Sequence, residues 1–310
     1  MSVYNDMLVT HSAITTEIGR TMGSVSAIWQ RIPVAVRAIL TGLLVLFFGA
    51  FGWSVLLFGS RKLTTSIPWA ATPIFLVVGC LFLWGFWRYL AGAGWPRSSA
   101  EGRRQNLRGR GLPGSVWAWA LSAGVLAVIS YVALVLVWGR LIRLQPWTVP
   151  DLSRYSFLTV LCILLAAAVE AGVVEEASFR GYMQAPIERR YGPKVAIVIV
   201  SLVFGFVHLA NGYHELTWLL PYAIFGSILG TLAYLTNSIL PGVVLHTAGD
   251  AVRFLFVWRH GPNPHELLIW QSGLDLSFCV RLAIAVTFGL AAIWAYRKLA
   301  TVVRLESKSS

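Results

Sequence analysis

Charged side chains are scarce in this sequence. Only 12% of its 310 residues are Asp, Glu, Lys or Arg, and 57% are hydrophobic. Soluble globular domains carry about 25% charged residues. This deficit, together with several nearly uncharged runs of about 20 residues, predicts helices that cross a membrane. The expected fold class is all-α: a polytopic membrane helical bundle of about eight transmembrane helices.

Cysteine is also rare, and a cleavable leader is not expected. The three cysteines, Cys80, Cys162 and Cys279, lie in separate apolar runs without a CxxC partner. They therefore indicate neither a disulfide framework nor a thiolate zinc site. The first 30 residues contain scattered charges and no compact apolar core after a basic start. We predict no cleaved signal peptide there.

Eight apolar runs stand out from the polar segments between them. Most are long enough to span a bilayer, whereas the fifth and the seventh are short or interrupted by polar residues. Such helices are tolerated where they line a cavity enclosed by protein. The runs cover Val34–Phe58, Trp69–Leu90, Val116–Trp138, Tyr155–Val174, Val195–Leu209, Trp218–Leu235, Ile239–Val257 and Leu276–Tyr296.

The polar segments divide the chain into five regions. An N-terminal cytoplasmic segment (1–33) is followed by a two-helix membrane region (34–94) and a basic linker (95–114). A membrane domain (115–300) then holds every motif described below, and a polar tail (301–310) ends the chain. The linker could be a nucleic-acid patch, but a solvated cytoplasmic loop that touches anionic lipid headgroups is favoured.

The net charge of +12 fits a membrane protein better than a nucleic-acid binder, because the basic residues lie between the apolar runs. With eight spans, 17 of the 25 lysines and arginines fall on the side that holds both termini. Cytoplasmic loops carry an excess of Lys and Arg. We therefore expect both termini to be cytoplasmic and the protein to be multi-pass, in the inner (cell) membrane if the source is bacterial.

Ionisable residues recur inside or beside the apolar helices between residues 174 and 250. Each costs several kcal/mol if left unpaired in hydrocarbon, so a functional role is the default hypothesis. Four residues apart on a helix, Glu176 and Arg180 share one face, while Glu175 is turned about 100° away and is left to face a cavity. An ordinary ion pair at the membrane interface is the alternative for Glu176 and Arg180.

Two histidines complete this pattern. His208 follows the predicted turn at Gly192-Pro193 by nearly as many residues as Glu175 precedes it, so antiparallel helices would place the two at one height. They would then form a general base and its positioner. His246 and Asp250, again four apart, could orient an imidazole, bind a metal or hold an oxyanion; Asp250 could instead pair with Arg253. Glu170 has no assigned partner.

Three motifs stand at these positions: Glu175-Glu176-Ala-Ser-Phe-Arg180, Phe204-Gly-Phe-Val-His208 and His246-Thr-Ala-Gly-Asp250. Over about residues 155–260 the sequence resembles the CAAX-protease and bacteriocin-processing (CPBP, or Abi) family of intramembrane proteases. The resemblance implies an intramembrane endopeptidase that acts on membrane-associated protein or peptide substrates. Membrane lipids are the other expected partner, and nucleic acid is not expected.

The resemblance also implies roles for individual residues. Glu175 and His208 would activate a water, and His246 with the residue at 250 would stabilise the oxyanion, while Glu176, Arg180 and Phe204 support them. Asp250 stands where the best-known prenyl-protein proteases have Asn, and an ionised Asp cannot donate a hydrogen bond. The alternative is a catalytic zinc site formed by Glu175, His208, His246 and Asp250.

Two other classes of function remain open. A catalytically silent membrane scaffold or bacteriocin-immunity protein would use the same fold without cleavage. A proton-coupled transporter would also bury carboxylates and histidines, but it would more often show repeated halves. All the polar residues discussed above lie in the second half of this chain, which favours the protease.

Overall fold

The structure, a computed structural model, describes residues 29–66, 68–146, 149–261 and 266–309, and no β-strand occurs in these ranges. One continuous helical stretch, Phe157–Tyr191, contains a π-helical segment (Ala177–Met183) between two α-helices. The α-helices are α1 (Val34–Ser66), α2 (Pro68–Leu90), α3 (Ala100–Leu107), α4 (Gly114–Leu141), α5 (Phe157–Glu176), α6 (Gln184–Tyr191), α7 (Pro193–His208), α8 (Leu219–Thr236), α9 (Leu240–His260), α10 (Ile269–Ser272) and α11 (Leu276–Ser309).

Seven helices of the described chain are long and apolar enough to cross a membrane. The remaining predicted run, the fifth (Val195–Leu209), forms α7, which is apolar but only 16 residues long. The all-α bundle of about eight membrane helices is therefore confirmed. The seventh predicted run forms α9, whose 21 residues extend beyond the predicted end at Val257.

Large apolar side chains cover the outside of the bundle. On α1 alone, Leu44, Phe47, Phe48, Phe51 and Phe58 are each more than half exposed. A water-soluble monomer rarely exposes such a contiguous apolar surface. Together with the seven candidate spans, this surface identifies an integral membrane protein.

Small residues set how closely the helices pack. Ala120 and Ala123 of α4 are fully buried, and a Cβ at Gly124 would collide with the side chain of Leu245 on α9. Gly226 of α8 likewise lies against Ser201 of α7. Small residues allow membrane helices to approach closely, where van der Waals contact drives their association. These contacts hold two of the motif-bearing helices, α9 and α7, against α4 and α8 respectively.

The predicted turn at Gly192-Pro193 is also confirmed. Gly192 adopts a φ of 83°, which favours glycine, and Pro193 begins α7 at a position where its missing N–H costs nothing. The turn reverses the chain between α6 and α7, which pack against each other. The second motif is thus brought back toward the first.

The linker differs from the predicted solvated loop. It contains a short 3₁₀ turn (Arg97–Ser99) and α3, and the side chains of Arg103, Leu107 and Arg108 are buried. The Arg103 guanidinium donates hydrogen bonds to the carbonyl oxygens of Tyr89 (2.9 Å) and Ala93 (3.0 Å). It thus binds carbonyl oxygens at the C-terminal end of α2 and just after it.

The C-terminal tail differs as well. Residues 301–309, predicted as a polar tail, continue α11 as helix up to Ser309. The Ser115 hydroxyl at the start of α4 donates to the Glu306 carboxylate (2.5 Å) in this extension. The predicted N-terminal segment lies outside the described residues, except for 29–33.

The arrangement of these helices predicts which end of the bundle faces the cytoplasm. The linker and the turn before α9 lie at the same end of the bundle, since the Ile239 N–H donates to the Arg108 carbonyl (3.1 Å). By the positive-inside rule this end is expected to be cytoplasmic. Reporter fusions after residue 105, residue 237 and residue 310 should all report the cytoplasm. A fusion after residue 146 is the control for the opposite side, and the same readout from it would contradict the topology.

Candidate functional site

A buried carboxylate joins the first and third motifs. The Oε1 atom of Glu176 lies 2.9 Å from Nη1 of Arg180 and 2.9 Å from Nδ1 of His246. Glu176 and Arg180 are almost completely buried, and His246 is 3% exposed. The predicted ion pair between Glu176 and Arg180 is therefore confirmed, and it is an internal pair rather than an interfacial one.

The π-helical segment determines where Arg180 points. The sequence predicts a helix that continues past Glu176, and the chain does continue, but Ala177–Met183 winds with the wider π spacing. All seven of its residues are buried. The Arg180 guanidinium packs over the ring of Phe204 (4.7 Å to the centroid) and donates to the Gly226 carbonyl (3.3 Å). Arg180 thus ties the π-helical segment to α7 through Phe204 and to α8 through Gly226.

Glu175 and Asp250 flank the other nitrogen of His246. The distances to His246 Nε2 are 3.7 Å from Glu175 Oε2 and 3.6 Å from Asp250 Oδ2. The Oε2 atom of Glu175 is buried, and none of the residues that the structure describes donates a hydrogen bond to it. Asp250 also lies 3.8 Å from Nε of Arg253, so both of its predicted partners, His246 and Arg253, are within 4 Å of its carboxylate. The two adjacent glutamates therefore occupy different environments, as predicted.

His208 is held by its own motif and by two groups that the motifs do not include. Its Nδ1 lies 2.8 Å from the Phe204 carbonyl oxygen, and its ring stacks on Tyr222 at 3.9 Å between centroids. The Tyr222 hydroxyl in turn donates to Glu215 (3.1 Å). In the part of the chain that the structure describes, no hydrogen bond or ion pair joins His208 to Glu175. Both histidines instead pack against Phe204.

Three further residues belong to this site, although the motifs do not name them. A Cβ at Gly242 would lie 2.6 Å from Glu176 Oε2, so only glycine leaves room for the carboxylate. Its position one helical turn before His246 is the sequence signal that could have identified it. Glu170 lies within electrostatic range of Glu175, Asp250 and His246. For Tyr222, an aromatic residue in an apolar run, the sequence offers no such signal.

The geometry does not fit the predicted zinc site. Within the described residues, no three His, Cys, Asp or Glu side chains are placed so that they could hold one metal ion. Glu176 Oε1 is already shared between Arg180 and His246, and His208 is held against Tyr222. The arrangement suits proton transfer and charge stabilisation by side chains.

Residues 157–252 match the family model of type II CAAX prenyl endopeptidase Rce1-like proteins. This segment contains the three motifs, so the resemblance inferred from them is confirmed over these residues. No curated protein and no solved structure matches the chain. The match associates the segment with peptidases of the CAAX-protease type.

Removing the charge of Glu176 should destabilise the protein. Glu176→Gln leaves Arg180 buried without its counter-charge, which typically costs about 3–5 kcal/mol. The matched control is Glu101→Gln, which removes a pair with Arg104 whose side chains are 65% and 63% exposed. Such exposed pairs contribute about 0–1 kcal/mol. Thermal unfolding in detergent compares the two variants, and equal melting temperatures would contradict the buried pair.

A second pair of variants tests the space around the same carboxylate. Gly242→Ala brings a methyl group against Glu176 Oε2 and should lower the melting temperature by displacing it. Gly249→Ala, on the same helix, meets no atom within 4 Å. It should be neutral or stabilising by about 0.5–1 kcal/mol, because alanine favours a helix over glycine. A stable Gly242→Ala variant would refute the close approach.

Proposed function

We propose that this protein is an intramembrane endopeptidase that hydrolyses peptide bonds of membrane-associated proteins or peptides with a water activated by Glu175. One observation carries the proposal: the buried Oε2 atom of Glu175, to which no residue of the described chain donates a hydrogen bond, lies 3.7 Å from the imidazole of His246 inside the membrane domain. A buried polar atom without a partner is costly unless a ligand or water completes it. The family match of residues 157–252 supports the same reaction class.

Glu175 is the proposed general base. It takes a proton from the water, whose oxygen bonds to the peptide carbonyl carbon while the C=O π electrons move to the oxygen. When this intermediate collapses, the C–N bond breaks and Glu175 returns the proton to the leaving nitrogen. General acid–base catalysis by a positioned side chain contributes about 10²–10⁴-fold to the rate.

His246 is the proposed oxyanion donor. Glu176 Oε1 lies 2.9 Å from both Arg180 and His246 Nδ1, so the Nδ1–H of His246 donates to it and the ring orientation is fixed. In its imidazolium form, His246 presents an Nε2–H toward the side of Glu175 and Asp250. A donor held in a water-poor site stabilises negative charge on the carbonyl oxygen strongly. Asp250, 3.6 Å from Nε2, orients and stabilises this imidazolium.

His208 is the proposed positioner of the water. Its Nδ1–H donates to the Phe204 carbonyl, so that in the neutral ring Nε2 is left as a hydrogen-bond acceptor. That nitrogen would accept the hydrogen of the water that Glu175 does not take. Stacking on Tyr222 restricts rotation of the ring.

Glu175→Gln should abolish proteolysis and preserve folding. Glutamine keeps the shape of the side chain but cannot take the proton, so the rate should fall about 10²–10⁴-fold. Membranes of a host that expresses either form can be compared by mass spectrometry of newly formed peptide termini. Glu101→Gln is the control and should give the wild-type cleavage products. Unchanged cleavage by Glu175→Gln would overturn the mechanism.

Asp250→Asn separates the two roles open to this position. If Asp250 orients His246, its replacement should lower turnover by about 10²-fold, similar to the loss of an oxyanion donor. If residue 250 itself donated to the oxyanion, Asn would be tolerated, because its side chain carries an N–H. Turnover of a cleaved peptide, measured beside the melting temperature, decides between them.

The same preparations test the alternatives. Loss of cleavage in a chelator, restored by zinc, would favour the metal-dependent reaction over the side-chain mechanism. A wild-type protein that is folded in the membrane but yields no new termini would favour the non-catalytic scaffold or immunity protein. Proton-coupled uptake by reconstituted vesicles without cleavage would favour the transporter.

A further inference from the structure

A cavity of about 700 Å³ opens at the end of the bundle that holds the linker. Arg104, Arg108, Arg110, Arg189 and Glu188 line it, and we call it the basic pocket. Four arginines against one carboxylate make it strongly positive. Its volume is within the range of about 300–1,000 Å³ that is usual for small-ligand sites.

The position of the basic pocket corresponds to the boundary between hydrocarbon and water. Its lining includes Ala91, directly after α2, and Asn237, directly after α8. Glu188 and Arg189 are in the last turn of α6, where the long apolar helix that begins at Phe157 comes to its end. The ends of spanning helices lie at the level of the lipid headgroups.

Two of the four arginines keep an uncompensated charge. Arg108 neutralises Glu188 with both of its terminal nitrogens, each 3.0 Å from a carboxylate oxygen. Arg110 donates to the carbonyl of Thr236 (3.2 Å), and Arg189 donates to the side-chain oxygen of Asn106 (2.6 Å).

The Thr236 carbonyl and the Asn106 side-chain amide carry no charge. No ion pair of Arg110 or Arg189 with a carboxylate occurs in the described ranges. The fourth arginine, Arg104, pairs only with the exposed Glu101, a contact that contributes little. The basic pocket therefore has an excess of positive charge with free donor capacity.

We infer that the basic pocket binds the phosphate group of an anionic phospholipid. Arginine is the preferred side chain for phosphate, because its planar donors match the phosphate oxygens. Basic clusters next to membrane helices attract anionic lipids. A free phosphate ion would satisfy the same donors, but the placement at the helix ends favours a headgroup that is already in the membrane.

A bound headgroup would fasten the linker to the motif-bearing helices. The Arg108 and Arg110 carbonyls already accept from the Ile239 N–H (3.1 Å) and the Ser238 hydroxyl (2.8 Å). These two residues directly precede α9, which carries His246. On the other side of the linker, a Cβ at Gly181 would lie 3.2 Å from the Asn106 carbonyl oxygen, so α3 packs closely on the π-helical segment. Lipid binding should therefore stabilise the fold, whether or not the protein is a peptidase.

Thermal unfolding of the full-length protein in a neutral detergent tests the inference. Dihexanoyl phosphatidylglycerol should raise the melting temperature saturably, while dihexanoyl phosphatidylcholine and inorganic phosphate should not. In the double variant Arg110→Gln/Arg189→Gln, the lipid concentration for half of this effect should increase about tenfold or more. Glutamine can still donate to Thr236 and Asn106, so the fold should survive. If it does not, Arg104→Gln carries the same test.

The matched control is Arg97→Gln/Arg304→Gln. These two residues are exposed, lie at the same end of the bundle and do not line the basic pocket. The control removes the same charge and should respond to phosphatidylglycerol like the wild type. An equal loss in both double variants would show a diffuse surface effect and overturn the site. An equal rise with inorganic phosphate would assign the basic pocket to a soluble anion instead of a lipid.

Discussion

The buried Glu176 carboxylate is the interaction on which the site depends. One of its oxygens meets both Arg180 and His246 at 2.9 Å, and so connects the end of α5, the π-helical segment and α9. In a low-dielectric interior neither the arginine nor the carboxylate could remain ionised alone. The requirement that both be paired fixes the relative position of the helices more strictly than apolar packing would.

The same requirement leaves the neighbouring Glu175 available for chemistry. The two carboxylates are adjacent in sequence but face different directions, since each residue of a helix is rotated about 100° from the last. The Glu176 carboxylate is paired with Arg180, whereas that of Glu175 lies 3.7 Å from Nε2 of His246, on the other side of the imidazole. A single helix thereby supplies both the structural carboxylate and the one that we propose as the general base.

Much of this arrangement could be predicted from the sequence, because it depends on local periodicity. Pairs such as Glu176–Arg180 and His246–Asp250 follow from the four-residue spacing on a helix, and the hairpin follows from Gly192-Pro193. The surroundings of His208 could not be predicted. Its partner Tyr222 comes from another helix, and contacts between helices depend on packing that no spacing rule describes. The burial of the linker was not predicted for a similar reason. Arg103 is polar in the sequence, but in the structure its guanidinium donates to carbonyl oxygens at the end of α2 and just after it.

The shortness of α7 has a consequence for the membrane around it. Sixteen residues of α-helix measure about 24 Å, whereas the hydrocarbon core is about 30 Å thick. The chain then enters 3₁₀ turns at Leu209–Asn211 and Tyr213–Trp218. At such a depth, the N–H and C=O groups of irregular backbone are tolerated only where protein or water forms hydrogen bonds with them. The bilayer should therefore be thinned beside His208, and hydrolysis, which consumes water, would draw its water from this depression.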